Sequence, residues 1–140
     1  MSDIIIRLIT ENKKDFLSLL LLGDEQESQI DPDFITDKMA NGGFKLWGAF
    51  DNERPVGIIA LRPTHNIALF SVDKQYHKQR TGRKLFQTAL SDKATTQGWE
   101  RIAVNASPYA VNIYRRLGFV PTDTEQTVNG LRFTPMECAI

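Results

Sequence analysis

Residues 65–106 restrict the fold more than any other stretch. HNIALFSVD (65–73) is a mostly apolar run of strand length. YHKQRTGRKLF (76–86) follows, with His77, Lys78, Arg80, Arg83 and Lys84 gathered around a single glycine, Gly82. Leu85, Phe86, Ala89, Leu90 and Ala94 then recur at helical spacing, with Lys84, Gln87 and Lys93 between them, and the pattern ends near Gly98. RIAVNA (101–106) is a strand again. Strand, helix and strand in that order belong to a mixed α/β domain built on one sheet.

The rest of the chain supports that frame. Ile4, Ile5 and Ile6 suggest a first strand. Thr10 can cap a helix carrying Phe16, Leu17, Leu20 and Leu21, which Gly23 ends. Phe34 to Met39 reads as a second short helix, closed by Gly42 and Gly43. KLWGAFD (45–51) and RPVGIIALRP (54–63), joined through Asn52 and Glu53, form a hairpin. After RIAVNA, Ser107 is an N-cap candidate and Pro108 suits a first turn. Ala110, Ile113, Tyr114 and Leu117 make an apolar stripe, Gly118 is a left-handed stop, and Arg115 and Arg116 suit the negative helix end. FVPT (119–122) reads as a strand and LRFTPMECA (131–139) as a last one after the Asn129-Gly130 turn. The expected order is β-α-α-β-β-β-α-β-α-β-β, in one domain spanning 1–140.

Composition narrows the function. Lys+Arg and Asp+Glu both number 17, so no global field draws nucleic acid or an anionic membrane. The basic turn also lacks stacking aromatics for RNA. The longest apolar stretch, Phe16 to Leu22, is too short to span a bilayer, and the N-terminus has no secretory pattern. One cysteine, Cys138, forms no intrachain disulfide, which is compatible with a reducing cytosol. One cysteine and two histidines give no zinc framework, so no metal is expected. Ser107 lacks the glycine elbow of a serine hydrolase. A cytoplasmic protein is expected.

The basic turn has two readings. A helix N-terminus presents unpaired N–H groups and partial positive charge, so it can hold an anion, and Gly82 would permit close approach. Lys78, Arg80 and Arg83 add mobile positive charge, and arginine grips phosphate in bidentate fashion. Equally, the turn can be a solvated helix start. It is neither a Walker loop nor a dinucleotide fingerprint.

Two segments decide between these readings. LFSVDKQYHKQRTGRKLF (69–86) and VNASPYAVNIYRRLGFVP (104–121) together resemble the GNAT (Gcn5-related) N-acetyltransferase family. In that family a strand leads to a Gln/Arg-x-x-Gly-x-Gly/Ala turn whose amides hold the pyrophosphate of acetyl-coenzyme A. Here the six positions read His77-Lys78-Gln79-Arg80-Thr81-Gly82. His77 replaces the usual Gln or Arg, Arg80 replaces the first glycine, and the final glycine is kept. In the second segment Ala110, Tyr114, Gly118 and Phe119 have the family spacing, Asn105 fits the entering strand, and Ser107 replaces a common asparagine. The tail EQTVNGLRFTPME (125–137) is similar to one branch of small bacterial members.

The resemblance implies a GNAT-like acyltransferase fold: one central, mostly antiparallel sheet with helices on both faces. It implies acetyl-coenzyme A as co-substrate and the amine of a small molecule or peptide as acceptor. Phe70, Ser71, Val72, His77, Lys78, Gln79, Arg80, Thr81, Gly82, Arg83, Asn105, Ser107 and Tyr114 would contact the coenzyme, and the strand of Phe70–Val72 would splay from its neighbour at a bulge. Tyr114 would protonate the departing thiolate; by periodicity alone it reads as a core aromatic on the stripe with Ala110 and Leu117. Glu25 is a candidate base, and Glu25, Glu27 and His65 are candidate acceptor contacts. The acidic run Asp24, Glu25, Glu27, Asp31 and Asp33 either attracts a cationic amine or is an exposed loop. The altered turn keeps open a catalytically silent coenzyme-binding or protein-interaction domain. A homodimer paired through the C-terminal strand also stays open.

Overall fold

The structure, a computed structural model, describes residues 4–10 and 44–140, and the backbone alone at 77–79. The helices expected at 10–23 and 34–39 fall almost wholly outside these residues, as do Glu25, Glu27 and the rest of the acidic run. The described strands are β1 (Ile4–Leu8), β2 (Lys45–Asp51), β3 (Arg54–Arg62), β4 (Asn66–Val72), β5 (Arg101–Ala106), β6 (Val120–Pro121), β7 (Gln126–Val128) and β8 (Leu131–Ala139). The helices are α1 (Thr81–Ser91), α2 (Lys93–Thr96) and α3 (Val111–Leu117), with 3₁₀ turns at Lys74–Gln79 and Pro108–Ala110. The strands lie in the order β1-β2-β3-β4-β5-β8-β6, and β7 pairs with β8. All pairings are antiparallel except β4–β5. This is the mixed α/β architecture expected, on a single large and mostly antiparallel sheet.

Alternation along the strands gives the sheet two apolar faces. Trp47, Ala49, Ile59, Leu61, Ile102, Val104, Ala106 and Met136 lie in one cluster with Leu85, Phe86 and Ala89 of α1 and Tyr114 of α3. Leu46, Phe50, Ile58, Ala60 and Leu69 make a second, smaller cluster. Gly57 lets α1 sit close on β3, because a Cβ there would stand 2.9 Å from Leu85 Cδ1. Among the described residues no helix is long and apolar enough to cross a membrane.

Several expectations shift in detail. The helix expected to run to about residue 98 breaks at Asp92, whose Oδ1 accepts from Ala94 N at 3.2 Å and starts α2. Ser107 stands at the expected cap position, but its side chain makes no cap bond; Ala110 N bonds to Ser107 O instead, and a 3₁₀ turn precedes α3. Ile113 is exposed, so the stripe on α3 narrows to Tyr114 with Ala110 and Leu117 beside it. Strand β7 was not expected, although the Asn129-Gly130 turn that joins it to β8 has both residues at positive φ and is a strong hairpin signal.

Candidate active site

The parallel neighbours β4 and β5 touch over very little of their length. Their register holds one pair, Asn66↔Ala103, supported by Ala103 N donating to His65 O at 3.0 Å. Strand β4 continues to Val72, roughly 20 Å beyond Asn66 at the usual rise, without a further pair to β5. Its other side stays on β3 as far as Gly57↔Val72. The β3–β4 register slips once between Ala60 and Leu61, which leaves Ala68 as an extra residue on β4. A bulge of this kind bends a strand locally. The sheet therefore opens between the ends of β4 and β5, with Phe70, Ser71 and Val72 on one side and Asn105 and Ser107 on the other.

The basic turn stands at the mouth of that opening. Asp73 caps the 3₁₀ turn Lys74–Gln79, with Oδ1 accepting from Gln75 N at 2.9 Å. Tyr76 is buried and donates its hydroxyl to Asp51 Oδ2 at 2.5 Å, which ties the turn to the end of β2. That hydrogen bond, together with burial and the carboxylate's charge, pushes the Tyr76 phenol above the usual tyrosine range. An exposed Arg54–Asp73 pair at 3.5 Å adds a weak second tie.

Arg80 then takes the left-handed conformation, with φ 60° and ψ 22°, as the residue before α1. This is the position where the resemblance calls for glycine, and the backbone explains why: a side chain here is strained by about 1–2 kcal/mol. Gly82, by contrast, lies within α1, and a Cβ there would meet Phe70 and Val72 at 3.5 Å or more, in ordinary contact. Among the described residues no side chain caps the first turn of α1, and its first helical bond runs from Lys84 N to Arg80 O at 3.1 Å. The amides of Thr81, Gly82 and Arg83 thus form an uncapped N-terminal turn, suited to an anion. The Thr81 side chain is fully buried, and its hydroxyl oxygen has no hydrogen-bond partner among the described residues.

Helix α3 faces this turn from beyond β5. Gly118, at φ 107°, ends it: Gly118 N bonds to Arg115 O and Phe119 N to Tyr114 O, both at 3.0 Å. Tyr114 is buried, and its ring meets Phe119 at 5.3 Å and Phe70 at 6.0 Å, both edge-on. The Phe70 contact brings β4 and α3 together across the opening. Tyr109 lies exposed on another face. Arg83, expected on a phosphate, turns Nη2 to Arg116 O at 3.0 Å.

His65 goes elsewhere. It occupies the β3–β4 turn at φ 64° and stacks on Trp99 at 4.4 Å, at the closed end of β4. There it lines a shallow groove with Glu100, Arg101 and Glu137. The structure therefore brings Phe70 to Tyr114 and the start of α1, at Gly82, to Phe70 and Val72, with Asn105 and Ser107 at the end of β5 across the opening, and leaves His65 apart. Sequence reasoning missed the Asp51–Tyr76 tie and the Arg83–Arg116 bond. Neither has a local signal, since the partners lie 25 and 33 residues apart.

A model of the acetyltransferase (GNAT) domain family matches residues 11–140. The chain belongs to the GNAT acetyltransferase family. Solved GNAT structures share its fold over nearly the whole length. The GCN5-related N-acetyltransferase of Rhodopseudomonas palustris is 21% identical, with a TM-score of 0.75 over 100% of this chain and 98% of that one. A GNAT acetyltransferase of Elizabethkingia anophelis, solved with acetyl-CoA bound, is 19% identical, with a TM-score of 0.71 over 100% of both chains. An aminoglycoside 6'-acetyltransferase type Ii is 22% identical, with a TM-score of 0.76 over 96% of each chain. At these identities the likeness is one of fold. No protein of curated function matches this GNAT chain by sequence.

Proposed function

We propose that this GNAT domain transfers the acetyl group of acetyl-coenzyme A to a primary amine of a small molecule or peptide, by direct attack in a ternary complex. The observation that carries the reading is the sheet opening between β4 and β5, with Phe70 and Tyr114 meeting across it and the uncapped turn of α1 at its mouth. That combination fits the coenzyme's shape. The α1 amides and the left-handed bend at Arg80 suit a pyrophosphate, and Thr81, first in that turn, carries a buried hydroxyl with no partner among the described residues. The pantetheine arm would run along Phe70–Val72 on one side and past Asn105 and Ser107 on the other. Acetyl-CoA bound to the Elizabethkingia relative supports the co-substrate. The aminoglycoside acetyltransferases of this fold support a small-molecule amine as acceptor.

When bound, the thioester supplies an acyl carbon for the amine: a C–N bond forms, a C–S bond breaks and a thiolate departs. The chain's own residues orient and neutralise. The strand Phe70–Val72 aligns the arm. Lys78 and Arg80 add positive charge near the phosphates. The Tyr114 phenol gives its proton to the leaving sulfur, and the attacking nitrogen loses its proton to solvent or to a base such as Glu25. A thiol-release screen over small amines and peptide N-termini, with coenzyme binding measured alongside, tests the proposal. Thiol release with at least one amine is expected. Tight coenzyme binding with no release from any amine would favour the silent binding domain, a reading that Arg80 at the strained glycine position keeps in view.

A further inference from the structure

The two walls of the opening come from segments far apart in sequence, and Arg83 joins them. It stands in the first turn of α1, and its Nη2 donates to Arg116 O, in the last turn of α3, at 3.0 Å. Helix α3 has only seven residues, too few to hold its own shape without tertiary support. The carbonyls of Tyr114 and Arg115 are satisfied locally, by Phe119 N and Gly118 N. The carbonyl of Arg116 is satisfied from the opposite wall, by a cation at the negative end of the helix. Arg115 and Arg116 already crowd that end with positive charge, so a third arginine goes there for the carbonyl rather than for the field. Tyr114 stands two residues before Arg116, and its ring meets Phe70 of the same opposite wall. Helix α3 is therefore pinned to the β4–α1 side at two points, one apolar and one polar.

We infer that Arg83 is a positioning residue for acetyl transfer: it holds the last turn of α3, and with it Tyr114, against the first turn of α1. The inference rests on the reading of Tyr114 as the acid. A small displacement of an acid is enough to matter, since about 1 Å can cost on the order of a hundredfold in rate.

The test uses the full chain with Arg83→Met and Arg83→Lys. Three readouts are needed: acetyl-CoA affinity by calorimetry, amide exchange at Gly118 and Phe119, and thiol release with an aminoglycoside as the probe amine. In Arg83→Met, acetyl-CoA affinity should stay within about threefold. The Gly118 and Phe119 amides should exchange about tenfold faster or more, because the carbonyls they bond lie in the loosened turn. The kcat should fall roughly ten- to a hundredfold. Arg83→Lys keeps a donor and should recover most of the loss. In a Tyr114→Phe background, Arg83→Met should lower kcat no further.

Unchanged amide exchange in Arg83→Met would overturn the holding role, whatever the probe amine does. Acetyl-CoA binding weakened by about tenfold or more, with kcat at saturation intact, would make Arg83 a phosphate ligand instead. A kcat loss that adds in full to that of Tyr114→Phe would overturn the route through Tyr114. Tyr114→Phe that by itself leaves kcat unchanged would instead remove the acid reading on which the inference rests. In that case the exchange result still decides whether Arg83 holds α3.

Discussion

Strand β5 has two neighbours and meets them in opposite ways. On one side it pairs with β8 along its whole length, from Arg101↔Ala139 to Ala106↔Thr134. On the other it meets β4 at Asn66↔Ala103 and no further. The closed flank is antiparallel, uninterrupted and backed by Ile102, Val104 and Met136 in the core. The open flank is parallel, begins beside a one-residue bulge on β4, and is bridged by an aromatic contact and a single arginine bond. The same strand is a structural member on one side and the wall of the proposed reaction site on the other. Mutations in the core behind the closed flank should therefore act on stability, and loss of the proposed acid on the open flank on turnover.

The largest expected effect breaks the closed flank. Ile102 is fully buried, and Ile102→Ala should cost about 2–5 kcal/mol of unfolding free energy, read from urea denaturation. Next comes the open flank. Tyr114→Phe keeps the ring packing on Phe70 and Phe119, so the melting temperature should hold while kcat falls about a hundredfold. Coenzyme affinity should not move. Gly118→Ala strikes the end of α3, where φ is 107° and a Cβ would sit 3.4 Å from Cys138 Sγ. It should cost about 1–2 kcal/mol in thermal unfolding.

The smallest effect has the opposite sign. Arg80→Gly releases roughly 1–2 kcal/mol of left-handed strain and adds about 0.5–1 kcal/mol of chain entropy. A net gain of about 0–1.5 kcal/mol in denaturant unfolding should follow, with coenzyme binding retained. A large loss of coenzyme affinity in that variant would show that the guanidinium makes an essential contact.

Much of this was legible in sequence where short-range physics decides. The β2–β3 hairpin followed from alternation around Asn52-Glu53, and Gly118 from its place after an apolar stripe. The turn was harder. Nothing in Arg80 announces a left-handed residue; the resemblance puts glycine there, and the positive φ supplies the reason. Gly82 looked like the residue the backbone needed, yet its helical position accepts a Cβ. The break at Asp92 was visible in retrospect, since Asp92 with Ala94 and Thr95 is a helix start of its own. The meeting of Phe70 with Tyr114, and of Arg83 with Arg116, depends on where two helices dock on the sheet, which no local pattern encodes.

Calorimetric titration of the chain with acetyl-coenzyme A tests the central claim most directly. Saturable one-to-one binding in the micromolar range, about −8 kcal/mol, is expected if the opening between β4 and β5 is a coenzyme site. No heat of binding at millimolar ligand would contradict it.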